Sequence, residues 1–341
     1  MPAAARALPK VLLHEHLDGG LRVATLLELM RERGMVSPAK TEAELSAWFD
    51  ARVSSYTHAG SLVEFLRGFA LTVAAMASAA ALRRVAFEAA EDALADGCVL
   101  AEFRIAPLLF EEHGVSGEAA VEALVEGLSQ STLPSGLIVC AMRHLPPAET
   151  ERAARLALAY QGRGVIAFDL AGAELGHPPA EHAAALKLVR DAGLPITLHA
   201  GEADVAERVV EAARAGAARI GHGVRLADAL NDPARRALVD EIVQRGAHLE
   251  ICPTSNVHTG AAASIAAHPI TALWRAGVSL SFHTDNRLMS RVSHSDEAAA
   301  LLRETALTID DLRRMGLAAA EHSFLGAEAR AKAQAALNAA G

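Results

Sequence analysis

An α/β fold, a (β/α)8 TIM barrel with a helical insertion after its first strand, is what this sequence predicts. Three observations lead there. Eight short β-rich apolar runs recur along the chain, the stretches between them are rich in Ala and Leu at helical spacing, and the polar residues of the runs fall at their carboxyl ends. Strand and helix in alternation build a parallel sheet with helices packed on it, and eight such repeats close it into a barrel. A chain of 341 residues is a length that this architecture takes as one unit, so 1–341 reads as a single domain.

The runs are KVLLHEH (10–16), CVLAEFRI (98–105), GLIVCAMRH (136–144), GVIAFDLAG (164–172), PITLHAGE (195–202), RIGHG (219–223), AHLEICPTS (247–255) and VSLSFHTD (278–285). Segments such as EHAAALKLVRDAG (181–193) and VAERVVEAARAG (205–216) supply the helical periodicity between them. The first interval, about 21–97, is much longer than the rest and must hold several helices. Loops that follow barrel strands build the active site, so this insertion is a candidate lid or substrate wall. The Ala-rich tail (327–341) reads as a terminal helix.

Composition narrows the function. With 52% hydrophobic and 21% charged residues the chain can bury a large core, and with only 4% aromatics that core is built of Ala, Leu and Val. A net charge of −9 without any basic run excludes a nucleic-acid or anionic-membrane partner. Cys98, Cys140 and Cys252 are odd in number and far apart, which argues for free buried thiols in a reducing compartment. The first ten residues lack the long apolar stretch of a signal peptide, and no apolar run approaches the ~20 residues needed to span a bilayer. The expectation is a soluble, cytoplasmic protein.

The polar strand ends carry the chemistry. His14, His16 and Asp18 end the first run, His199 and Glu202 the fifth, His222 the sixth and Asp285 the eighth. In a parallel barrel all of them face one mouth, where catalytic residues come from the tips of several strands. Alternate side chains of a strand point the same way, so His14 and His16 aim inward together while Glu15 points into or out of the wall. A lone His-x-His is a weak signal; joined by His199 and Asp285 it becomes three imidazoles and a carboxylate, a set suited to zinc or a similar divalent ion. The ordinary alternatives are a salt bridge for Glu202, a turn for His222 and a structural end of the seventh strand for Cys252 and Pro253.

At this point the chain resembles the adenosine deaminase family of the metal-dependent amidohydrolases. PKVLLHEHLDG (9–19), LHAGE (198–202), IGHG (220–223), ICPTSN (251–256) and HTDN (283–286) follow that family's successive signatures, in order from about residue 9 to 290, and AEFRIAP (101–107) and FDLAGAE (168–174) agree. The form DNRLMS (285–290) is most similar to actinobacterial members. The resemblance implies one zinc per chain held by His14, His16, His199 and Asp285. It implies that Glu202 protonates purine N1, that His222 orients or deprotonates the attacking water, and that Asp285 helps to hold that water. It also implies that the Gly172 N–H reaches purine N3 and that Asp18 accepts a hydrogen bond from the ribose 5′-hydroxyl. In SLVEFLRGFALTV (61–73) the helical stripe Leu62, Phe65, Leu66 and Phe69 corresponds to the family's apolar gate, with Leu62 and Phe65 against the nucleoside and Arg67 on another face, in solvent.

Two positions depart from the family. Asn286 stands where a second Asp often hydrogen-bonds purine N7; an amide can still donate there through its NH2. His283 stands where Asn is common. Two residues before Asp285, it is expected on the same side of the strand, as a partner of a ligand or a spare imidazole. The implied reaction is zinc-dependent deamination of adenosine and 2′-deoxyadenosine to the inosines and ammonia. The rivals are deaminases of adenine, of 5′-modified adenosines such as aminodeoxyfutalosine or of N6-substituted adenines, an inactive nucleoside-binding relative, and another metal hydrolase. Barrels of the last kind carry a bridging lysine, and the fourth strand tip, FDLAGAE, has none. Oligomeric state is not legible.

Overall fold

The computed structural model describes residues 2–56 and 65–340. Eight parallel strands appear in the expected order: β1 (Lys10–Leu12), β2 (Cys98–Ile105), β3 (Ser135–Met142), β4 (Val165–Ala171), β5 (Thr197–Ala200), β6 (Arg219–His222), β7 (His248–Ile251) and β8 (Leu280–Phe282). Continuous pairing runs β1-β2-β3-β4 and β5-β6-β7-β8. Parallel bridges tie the two groups at both seams, Phe168 with Ile196 on one side and Glu15 with Asp285 on the other. At the second seam the His16 N–H donates to the Asp285 carbonyl (2.7 Å) and the Asp285 N–H to the His14 carbonyl (3.0 Å). The first strand is therefore shorter than the run that announced it, because beyond Leu12 the extended backbone serves two neighbours through isolated bridges.

Helices clothe the strands, among them Gly117–Ser129, Pro147–Ala159, Ala183–Asp191, Ala206–Arg214 and Arg236–Arg245. Their Ala-rich faces let them approach closely. A Cβ at Gly127 would lie 2.2 Å from the Arg83 carbonyl of the helix Ala79–Ala95, so only glycine fits there. The insertion after β1 holds Val23–Glu32, Glu42–Tyr56, Phe69–Met76 and Ala79–Ala95 among the described residues. Among those residues no single helix is long and apolar enough to cross a membrane.

Alternation along β2 shows how the core divides. Phe103 and Ile105 join the main apolar cluster, while Glu102 and Arg104, equally buried, make ion pairs with residues of other strands. Arg104 pairs with Asp169 of β4 and Glu250 of β7; Arg219 of β6 pairs with Glu250 and Glu102. Barrel interiors are ordinarily filled by branched aliphatics. Here a buried ionic lattice joins strands β2, β4, β6 and β7, behind the residues that end them.

Candidate functional site

The His14 and His16 side chains leave the extended segment after β1 on one side, as period-two geometry requires. His199 comes from β5 and Asp285 from the turn after β8. One potential ligand atom from each of the four lies within 4.8 Å of all the others. His16 Nε2 is 3.2 Å from His199 Nε2, and Asp285 Oδ1 is 3.2 Å from His14 Nε2 and 3.5 Å from His16 Nε2.

The far sides of two rings are fixed. His14 Nδ1 faces Glu250 Oε2 at 2.8 Å, and His199 Nδ1 faces Asp169 Oδ2 at 3.0 Å. A carboxylate can only accept, so each Nδ1 carries the proton and each Nε2 is left with a lone pair turned inward. Arg104 bonds both carboxylates, through Nη1 to Asp169 and Nη2 to Glu250, and so couples the two rings. Burial holds His16 well below its ordinary pKa, in the neutral form. Burial raises Asp285, but the imidazole of His14 beside it outweighs this and holds the carboxyl well below its usual range. Buried His14 Nε2 makes no hydrogen bond. The neutral lone pairs of His16 and His199 converging beside a carboxylate, with the unpartnered His14 Nε2 next to them, are what a divalent cation would satisfy, so the donor set fits a metal.

Beside this cluster stands Glu202. Its Oε1 receives Thr259 Oγ1 (2.8 Å) and Asn256 Nδ2 (3.4 Å), and its Oε2 lies 3.5 Å from His222 Nε2. Burial, reinforced by the Asp285 carboxylate, pushes its pKa up to about 8. His222, held well below its ordinary value by burial, is neutral. The segment bearing Glu202 is pinned by Glu174, whose carboxylate accepts the backbone N–H groups of Gly201, Glu202 (3.0 Å), Ala203 (2.7 Å) and Asp204 (3.1 Å). His222 and Asp285 both have positive φ, 64° and 61°, and Ser255 Oγ holds Asp285 Oδ2 at 2.6 Å.

The cluster floors a cavity of about 620 Å³, lined by His16, Asp18, Glu202, His222, Asp285 and Asn286 at one end and largely apolar elsewhere. Phe65 and Phe69 form part of its wall, with ring centroids 6.0 Å apart; Arg67 is exposed at the same wall. Gly172, at φ +93°, also lines it, and a Cβ there would meet His144 Nδ1 at 2.9 Å. Asp18 is raised to about 7 by burial, and its Oδ1 has no hydrogen-bond partner. Asn286 Oδ1 is likewise buried without one. Gly19 makes room for that amide, since a Cβ would stand 2.1 Å from it. Leu62 lies outside the described residues.

His283 bonds its own wall rather than any of the four His/Asp residues. Its Nδ1 accepts the Leu13 N–H (3.2 Å) and its Nε2 meets Ser281 Oγ (2.7 Å). Glu15 is in the wall, paired with the Thr284 hydroxyl and with Arg287 Nε at 2.6 Å. The sequence reading did not find Arg104, Asp169, Glu250, Glu174, Asn256 or Thr259. Its usable signal was charge inside apolar strands and the polar residues of FDLAGAE and ICPTSN.

Parallel α/β architecture with a His/Asp cluster at the strand tips makes this an amidohydrolase-type barrel with a candidate metal site. A solved adenine deaminase from Arthrobacter aurescens has the same fold, with a TM-score of 0.87 at 22% identity over 97% of this chain and 98% of that one. An amidohydrolase from Burkholderia ambifaria, solved with bound Zn, gives a TM-score of 0.84 at 25% identity over 99% and 92%. The adenosine deaminase of Mycobacterium sp. strain KMS is 41% identical over 333 residues, 93% of this chain and 90% of the relative. A family model described as adenosine deaminase matches residues 9–339. The chain belongs to the adenosine deaminase family.

Proposed function

We propose that the protein is a zinc-dependent deaminase of adenosine and 2′-deoxyadenosine, acting as one barrel domain and releasing ammonia and the corresponding inosine. The observation that carries the reading is Glu202, a carboxyl kept protonated near neutral pH, facing the His/Asp cluster on the floor of an apolar cavity. Family membership and the Zn-bound neighbour support the metal. One zinc per chain, held by His14, His16, His199 and Asp285, would supply the acidity that makes water a nucleophile near neutral pH.

The remaining work falls to the chain's own groups. Apolar walls, Phe65 and Leu62 among them, take the purine and exclude bulk water. The Gly172 N–H and Asn286 bond the ring at N3 and N7, and Asp18 receives the 5′-hydroxyl. His222 and Asp285 hold the attacking oxygen in line with C6, a matter of positioning. As OH adds to C6, electrons move to N1 and Glu202 delivers its proton there; OH and H together make one water. The proton of the added hydroxyl then passes to the amino nitrogen, the C6–N bond breaks as C6–O becomes the carbonyl, and ammonia leaves. Buried free thiols at Cys98, Cys140 and Cys252 suit a reducing cytoplasm.

The test is a panel of adenosine, deoxyadenosine, adenine and 5′-substituted adenosines, followed by the fall in adenine absorbance. Adenosine and deoxyadenosine should lead; faster turnover of adenine or of a 5′-substituted substrate would replace the substrate assignment.

A further inference from the structure

We propose that a hydrogen-bond relay running from the backbone of Ile270 through His268 and Asn256 fixes His222 as a donor at Nε2 and leaves the proton of Glu202 on Oε2. Asn256 and His268 are then positioning residues. The inference deepens the proposed function and rests on it for placing His222 and Glu202 against the reacting ring.

The relay starts from a group without ambiguity. A backbone N–H only donates, and that of Ile270 meets His268 Nδ1 at 3.1 Å. His268 Nδ1 therefore holds a lone pair. Burial keeps this ring neutral, its pKa lowered to about 3, so its single proton is on Nε2. That nitrogen stands 3.3 Å from Asn256 Oδ1 and donates to it. With Oδ1 so engaged, the amide turns its NH2 the other way, where it lies 3.1 Å from His222 Nδ1 and 3.4 Å from Glu202 Oε1. An amide orientation follows from its hydrogen-bond network, and here each member excludes the reversed arrangement.

Both reacting groups are thereby set. His222 Nδ1 accepts, so the proton of the neutral ring sits on Nε2, 3.5 Å from Glu202 Oε2. A nitrogen that already carries hydrogen cannot take a proton from water. Of the two roles open to His222, orienting and deprotonating, the relay selects the first: Nε2–H donates to the oxygen that adds at C6. In Glu202, Oε1 faces Asn256 and Thr259, so the proton it transfers leaves from Oε2.

The test uses the zinc-loaded protein labelled with 15N-histidine, in which NMR separates N–H from lone-pair ring nitrogens. Both His222 and His268 should be Nε2–H tautomers. Asn256→Asp, which can only accept, should switch His222 to Nδ1–H and lower kcat about 10²–10³-fold, the usual loss for a removed donor to a developing oxyanion, with KM and zinc content kept. His268→Glu should give the same switch. His268→Gln, which restores a donor, should recover the Nε2–H signature and most of the lost kcat. An Nδ1–H His222 in the wild-type protein overturns the relay, and so does equal kcat in the folded, zinc-loaded Glu and Gln variants. The wild-type spectrum decides the tautomer even where a variant does not fold. Failure of the substrate reading appears separately, as no ammonia released from adenosine.

Discussion

His16 Nε2 and His199 Nε2 face each other at 3.2 Å, and the proton that would bridge them is disfavoured, since burial lowers the pKa of both rings. A cation between them removes the repulsion of two lone pairs. Metal analysis of the purified protein should find close to one zinc-type ion per chain, and exhaustive chelation should abolish deamination. Full activity without metal would exclude the zinc assignment.

The charged partners behind the rings should set metal affinity. Asp169 receives both His199 Nδ1 and Arg104. Asp169→Asn weakens the proton-accepting partner without emptying the space. Affinity for zinc should fall about 10–100-fold, measured by competition with a chromophoric chelator.

Glu202→Gln keeps the shape of the side chain and its contacts with Thr259 and Asn256, but has no proton to give. The loss in kcat should be about 10²–10⁴-fold, with metal content unchanged. A variant within a factor of about ten of wild type would move the proton donor elsewhere.

The same carboxyl should shape the pH profile. Its pKa is raised to about 8, so the acid form persists through neutrality and is lost above it. The alkaline limb of kcat/KM should fall near pH 8. Stability should follow the same sign. A carboxyl whose folded pKa exceeds its unfolded value stabilises fully below the unfolded value, and that contribution is lost as pH rises through the folded one. For Glu297, also raised to about 8 by burial, Glu297→Gln should gain in Tm over wild type between pH 6 and pH 9. A constant Tm difference across that range would count against it.

Asp18 governs discrimination at the sugar. A buried carboxylate whose Oδ1 lacks a partner gains a charge-assisted bond from a 5′-hydroxyl, about 1.5–3 kcal/mol. Asp18→Ala should narrow the gap in kcat/KM between adenosine and 5′-deoxyadenosine while leaving zinc in place. An unchanged ratio would assign the hydroxyl to another residue.

The eight strands and the strand-tip residues His14, His16, Asp18, His199, Glu202, His222 and Asp285 were legible because each interrupts an apolar run at its end. Arg104, Asp169 and Glu250 interrupt their runs too, but their meaning depends on partners from strands that only the closed barrel brings together. Glu174 and His268 lie in connections without periodicity, where side-chain direction cannot be counted off, and Asn256 lies in a helix of only six residues, too short to show a period. His283 stands two residues before Asp285, where the backbone turns left-handed, and its partners, the Leu13 N–H and Ser281 Oγ, could not be named before the wall was assembled.

That left-handed turn at His222 and Asp285 has a consequence for anyone who evolves the chain in the laboratory. Non-glycine residues held at positive φ cost about 1–3 kcal/mol each where the surroundings enforce them, and glycine relieves the cost. A screen rewarding heat resistance alone would favour glycine at both positions. It would enrich robust, well-expressed proteins that have discarded a carboxylate of the cluster and the imidazole beside it, so every round needs a turnover assay alongside the thermal one.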